Sequence, residues 1–329
     1  MKIHIACTRK IRATVGVMAL MSLLCAFANA SQTYFHKEET PNKVHLKYRW
    51  QDFFGTHRSL SFELDKAQIA TQNKQNKSYR PEIAQRYVYM ELQRKAQTIN
   101  PKEARVKFRS RNNELQIEVK SRSEQMIEKW TTELVAEREA AFDRYLAMNY
   151  YSRYVSPYGQ TGVKPDHIRF VNEAVTALLP ASQALYELMD DDSTSRAYVN
   201  MILSWVQSIP YNDLQDRMTS NGAGYLPPSE VLLTNKGDCD SKATLTAALL
   251  RSLLPNLHMT IVYLPNHALL GANLPHFDGE EKVTEGGIDY LLLDPTGPQL
   301  MKVGEVSDET ARYINNDMFK VEKLPGQIN

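Results

Sequence analysis

Lys236-Gly237-Asp238-Cys239-Asp240-Ser241-Lys242-Ala243-Thr244-Leu245-Thr246-Ala247-Ala248-Leu249-Leu250 is the stretch on which the reading of this chain turns. Ala243, Ala247, Leu250 and Leu254 recur at helical spacing, which predicts a helix over 239–254 with an apolar stripe facing a core. Cys239 then occupies the first turn. There the unpaired backbone N–H groups and the positive end of the helix dipole favour a thiolate and can cradle an oxyanion. Gly237 is expected to let the backbone turn sharply into the helix. Asp238 and Asp240 oppose a further negative charge beside them, so a nucleophilic Cys239 needs a basic partner.

Composition sharpens the case for this cysteine. The chain has three cysteines, Cys7, Cys25 and Cys239. Residues 1–30 read as a cleavable secretory signal: Lys2, Arg9, Lys10 and Arg12 precede an uncharged apolar run that ends on Ala28-Asn29-Ala30. Cleavage after Ala30 predicts a periplasmic or secreted product with Cys239 as its sole cysteine and no internal disulfide. A lone thiol is a liability in an oxidising compartment unless it is buried and inert or has work to do. The formal net charge of +1 turns slightly negative once the signal's four basic residues leave. That excludes the basic excess of a nucleic-acid binder. No later segment is apolar for long enough to span a membrane.

Downstream, strands are predicted at 259–264, 267–273 and 288–294, the last two alternating. Antiparallel pairing of Asn273 with Ile288 sets His267 opposite Asp294 on one face, with 274–287 as the hairpin loop. His276 falls inside that loop and His258 precedes its strand near Pro255, so His267 is the better base. A nucleophile at a helix start, a base on one strand and a carboxylate on the next complete the logic of a triad. A zinc site of Cys239 with His258 and His267 is the rival from another class, but it lacks the close ligand spacings of such sites. Neither a metal nor a cofactor is expected. Asn221-Gly222-Ala223-Gly224 reads as a loop, without the Lys-Ser/Thr of a phosphate cradle.

Upstream, Val44, Leu46, Tyr48 and Trp50 alternate with polar residues, and Leu60, Phe62 and Leu64 repeat the period after the turn at Phe54-Gly55-Thr56. Pro81 opens a helix through Tyr87, Val88 and Leu92. A strand pair (Val106, Phe108; Leu115, Ile117, Val119) turns at Asn112-Asn113. A helix over 124–150 follows, with Ser121 and Glu124 as its capping box and Met126, Trp130, Leu134, Ala141, Tyr145 and Met148 as its stripe. The segment 156–165 reads as a linker, and Asp190-Asp191-Asp192-Ser193 as a second break before a helix over 194–208. The expected organisation is an α/β N-terminal module over 31–160, followed by an α+β unit over 165–322 in which a Cys-bearing helix packs on an antiparallel sheet carrying His and Asp.

Pro228-x-Glu230-x-Leu232, Gly237-Asp238-Cys239-Asp240-Ser241-Lys242, His267-Ala268-Leu269-Leu270-Gly271 and Leu293-Asp294-Pro295-Thr296 together resemble the core motifs of bacterial transglutaminase-like proteins, whose fold is related to papain-type proteases. Trp205-Val206-Gln207-Ser208-Ile209-Pro210-Tyr211 resembles the segment before the nucleophile in that superfamily. The resemblance spans about 194–322. It implies Cys239 as nucleophile, His267 as general base and acid, Asp294 as its orienting carboxylate, and a protein or peptide substrate. For the oxyanion donor beside the Cys239 N–H, Gln207 is the candidate and Tyr211 the rival. Members of such a fold hydrolyse peptides, crosslink or deamidate glutamine, or bind without catalysis. Hydrolysis is favoured, since amine transfer requires a positioned amine and exclusion of water.

Overall fold

The structure is a computed structural model, and it describes residues 31–75, 77–111, 114–215 and 224–326. The signal expected over 1–30, the hairpin tip at Asn112-Asn113 and residues 221–223 of the glycine-containing loop lie outside these.

The chain opens with β1 (Gln32–Glu39), β2 (Lys43–Gln51) and β3 (His57–Asp65), an antiparallel sheet in that order. Its register aligns Val44 with Leu64, Leu46 with Phe62 and Tyr48 with Leu60, so the alternating residues share one buried face. After α1 (Lys66–Gln75) comes α2 (Pro81–Gln97), where Pro81 sits in the first turn and loses no helical hydrogen bond. The hairpin of β4 (Arg105–Arg111) and β5 (Glu114–Lys120) leads into α3 (Glu124–Met148). Trp130, Leu134, Ala141 and Tyr145 of α3 are buried as their spacing requires, whereas Met148 is exposed. Ser121 does not cap α3: its hydroxyl donates to the carbonyl of Glu103, and the helix starts after Ser123 without a side-chain cap.

The remaining elements are β6 (Tyr151–Val155), β7 (Thr161–Pro165), α4 (His167–Tyr186), α5 (Ser195–Ser208), α6 (Pro228–Thr234), α7 (Cys239–Leu253), β8 (Met259–Leu264), β9 (His267–Ala272), β10 (Lys282–Glu285), β11 (Ile288–Leu293), α8 (Asp308–Asn315) and β12 (Lys320–Leu324). A five-stranded antiparallel sheet runs β10-β11-β9-β8-β12. Met259, Ile261, Ala268, Leu270 and Leu293 turn to the core shared with α7, while Val262, Leu264, Leu269 and Leu292 pack with Ile314 of α8. Both faces are covered, and every residue of β8 is buried, Thr260 included. The architecture is α+β with antiparallel sheets.

The segment 156–165, expected as a linker, is part of a paired hairpin. Those residues belong to the β6–β7 hairpin, in which Tyr151 pairs with Pro165 and Val155 with Thr161. The first sheet does not belong to a separate module. Its apolar face joins the core of α4, α5 and α7: Trp50 Nε1 donates to Ser204 Oγ at 3.0 Å, the Tyr48 hydroxyl donates to the Leu232 carbonyl at 2.8 Å, and the Trp205 ring meets Tyr48 edge-on with centroids 5.1 Å apart. By contrast α2, α3 and β4–β5 enclose a core of their own, around Leu92, Trp130 and Leu134. Alternation shows that a strand is half buried, and carries no information about which partner covers it.

Candidate active site

Cys239 is presented by a tight entry into α7. The positive φ of that entry sits at Asn235 (52°), where α6 ends, rather than at Gly237. Gly237 serves close packing instead. A Cβ there would lie 3.3 Å from the Ser241 Cβ, and the backbone of Gly237 bonds Pro210 and Asn212 on either side. Asp238 is the N-cap, accepting the Ser241 N–H at 3.0 Å and the Ser241 hydroxyl. Burial, and then the charge of Asp240, raise its carboxyl to about 7.

His267 stands at the start of β9, three residues after Leu264, to which it pairs across the Pro265-Asn266 turn. Its Nε2 lies 2.9 Å from Asp294 Oδ2, just past the end of β11. The strand register differs from that expected: Ala272 faces Leu291 and Leu270 faces Leu293, a slip of two residues. The expected loop 274–287 holds β10, which pairs with β11 across the Gly286-Gly287 turn (φ 61° and 77°) and shortens the free connection. An even slip preserves the face, so His267 and Asp294 still meet. Asp294 is almost fully buried, and its Oδ1 accepts the Thr296 N–H at 3.0 Å. With Nε2 held by the carboxylate, Nδ1 is the ring nitrogen left to receive a proton. His276 is exposed beside Lys282 and His258 lends only its backbone carbonyl to Asn273; neither lines the cavity at Cys239.

Burial works against both charges of this pair, and their mutual interaction outweighs it. The imidazole is raised above its ordinary 6.5 by the bond to Asp294, by that carboxylate's charge and then by Asp240. Asp294 is lowered below 3.8 by His267 and by Thr296. Stability from the raised histidine is complete below 6.5 and lost as pH climbs through its folded value. Stability from the lowered aspartate is present above 3.8 and lost as pH falls through its folded value. The pair therefore stabilises most between about pH 4 and about pH 6.5. Melting temperatures should fall more steeply above that window in the native protein than in His267→Gln, and parallel curves would show that the pair carries no linkage.

Cys239 and His267 line one cavity of about 250 Å³ with Tyr154, Lys164, Asp240 and Tyr263. The thiol donates to Asp240 Oδ1 at 3.6 Å. Burial, then Asp240 and Asp238, push the thiol well above its ordinary value, while the N–H groups of Ala268 and Asp240 pull the other way. In the resting site the sulfur therefore keeps its proton.

Gln207 is not placed to hold an oxyanion. It is 1% exposed, and its Nε2 donates to the carbonyls of Asp294 (2.7 Å) and Met301 (2.8 Å), while its Oε1 accepts the Met301 N–H at 3.2 Å. Both amide hydrogens are committed to fastening the 294–301 loop to α5. The backbones are close enough there that a Cβ on Gly297 would meet the Gln207 carbonyl at 2.2 Å. Gln207→Ala should cost about 1–3 kcal/mol of stability in a denaturant titration. An oxyanion donor would instead lower turnover with stability unchanged. The rival Tyr211 is half exposed, its backbone bridged to Gly237 two residues before Cys239, and burial raises its phenol.

Lys242 went unrecognised in the sequence. Fully buried in α7, its Nζ donates to the Ile209 carbonyl and, at 2.5 Å, to that of Thr296, whose N–H holds Asp294. Burial lowers its ammonium to about 7 against the pull of Asp294 and Asp238. The signal was a basic residue set directly before the apolar stripe of a helix expected to be buried. His167 of α4 is also fully buried, and no motif in the sequence marks it.

Comparison with protein-family models, with curated proteins and with solved structures finds no match. Among the described residues no group of three or more His, Cys, Asp or Glu side chains could hold a metal ion. No helix among them is long and apolar enough to cross a membrane.

Proposed function

We propose that this chain is an exported, transglutaminase-like cysteine enzyme that cleaves peptide or glutamine amide bonds through a thioester, with hydrolysis as its normal outcome. The observation that carries the reading is the His267–Asp294 pair, 2.9 Å apart, in one cavity with Cys239 at the first turn of α7. In the reaction the Cys239 proton passes to His267 Nδ1, and the sulfur attacks the carbonyl carbon while the Cys239 N–H meets the developing oxyanion. The imidazolium then protonates the departing amine. Water, deprotonated by His267, resolves the thioester to a carboxylate and restores the thiol. The positive charge appearing on His267 is the basic partner that offsets Asp238 and Asp240, and Asp294 stabilises it.

A non-catalytic binding module is the second reading, supported by the thiol's retention of its proton beside two carboxylates. Alkylation by iodoacetamide separates them. In an enzyme, His267→Ala should slow modification of Cys239 by about tenfold or more, since a positioned base contributes on the order of a hundredfold to proton transfer. An unchanged rate favours the binding module.

A further inference from the structure

We propose that the cavity beside Cys239 is a subsite for a primary ammonium group on the acyl part of the substrate, with Asp240 as its counter-charge. This rests on the reading of Cys239 as an acyl-transfer nucleophile. Among the described residues the Asp240 carboxylate accepts one side-chain hydrogen bond, from the thiol at 3.6 Å. The buried side of Asp240 offers no proton. His167 is fully buried and its Nδ1 lies 2.8 Å from the Tyr263 hydroxyl, which itself donates to Glu322 Oε2 at 2.6 Å. The Tyr263 oxygen must therefore accept from His167 Nδ1–H, which leaves Nε2 as a bare lone pair. That lone pair has no hydrogen-bond partner and faces Asp240 Oδ2 at 3.7 Å, acceptor against acceptor. Burial holds His167 neutral.

Lys164, whose charge is felt at Asp240, spends its bond elsewhere: its Nζ bonds Glu322 at 2.8 Å. Asp240 is thus a carboxylate at the cavity that no cation bonds directly among the described residues; burial raises it, and the charges of Lys164 and His267 reach it without a bond. The rings of Tyr154 and Tyr263, 5.4 Å apart and edge to face, wall the same space. Aromatic faces and a carboxylate are the chemistry that binds an ammonium, and Lys164 Nζ already stands 5.4 Å over the Tyr263 ring. A bound ammonium would also cancel the charge that most opposes the thiolate after burial itself. The substrate would in this way help to ionise its own nucleophile. An amino terminus next to the scissile carbonyl and a lysine-type side chain offer the same group at different reach.

Methanethiosulfonates test this without a known substrate. The thiolate attacks the sulfenyl sulfur, a disulfide forms and methanesulfinate leaves. Rates with the methyl (neutral), aminoethyl (cationic) and sulfonatoethyl (anionic) reagents would each be divided by the rate with free cysteine. The cationic reagent should then exceed the anionic one by at least about tenfold, the scale of one partly buried charge pair. Asp240→Asn should bring the two within about twofold, the size of residual surface effects, while speeding the neutral reagent. An advantage for aminoethyl over aminohexyl assigns the subsite to an amino terminus, and the reverse to a side chain. Equal normalised rates in the native protein would mean that Asp240 carries its own proton onto His167 and would overturn the proposal, as would a cationic preference that survives Asp240→Asn. The wild-type comparison stands if the variant fails to fold. Failure of every reagent on the native protein would instead strike the nucleophile reading, because the neutral reagent asks nothing of Asp240.

Discussion

Cys239→Ala is expected to abolish amide turnover while leaving the fold intact, because it removes the nucleophile and keeps the Asp238 cap that starts α7. His267→Ala should lose about two to four orders of magnitude, the range a positioned general base supplies. The thiol here starts from an unfavourable place, protonated by burial and two carboxylates, so the loss should fall near the upper end. Asp294→Asn separates orientation from charge. An amide facing Nε2 would turn an N–H toward it, force the ring proton onto Nδ1 and block the nitrogen that must take the thiol proton. In serine triads the same tautomer error costs about four orders of magnitude, and less is expected here because a thiol is the stronger acid. Asp294→Ala should be worse than Asn, since it also frees the Thr296 N–H. Full activity in Asp294→Ala, together with inactivity on changing His258 or His276, would sink this assignment. Kinetics on a trapped substrate, with circular dichroism of each variant, decide it.

Trp205→Ala should destabilise the whole protein by about 3–5 kcal/mol, the usual cost of deleting a buried aromatic. Typical domains hold only about 5–15 kcal/mol in reserve. Trp205 is fully buried where Tyr48 and Phe62 of the first sheet meet α5, with ring centroids 5.1 Å and 5.9 Å away. Loss at this position unseats β1–β3 from the elements that hold the candidate site. A fragment lacking residues 31–65 should accordingly fail to fold, because it would expose the apolar faces that Val44, Leu46, Trp50 and Leu60 now cover. A single cooperative urea transition for the intact chain, and none for that fragment, is the expected result. A fragment over 165–326 that melts cooperatively alone would restore the two-module organisation expected from the linker-like composition of 156–165.

The position of Cys239 at a helix start, and the shared face of His267 and Asp294, were legible because both depend on local periodicity. A helix has one buried stripe, and strand parity survives an even slip of register. For the same reason the slip itself was invisible. Nothing local distinguishes a loop from the short edge strand β10, whose pairing is decided by the Gly286-Gly287 turn and by Leu291 lying between two partners. Gln207 looked like an oxyanion donor because an amide beside a nucleophile motif is chemically suited to that role. Only the folded chain shows both its hydrogens already donated, to carbonyls 87 and 94 residues away in sequence.

Short-range spacing determined an α+β chain with Cys239 at the start of a helix and a histidine and aspartate brought together by strand parity. The tertiary structure alone decided that the first sheet completes the core, that Lys242 and Gln207 fasten the loop behind Asp294, and that His167 turns an unpartnered ring nitrogen toward Asp240. Each of these is a contact between segments tens to hundreds of residues apart. Such contacts arise from burial and from the demand that buried polar groups find partners, conditions that no window along the chain contains.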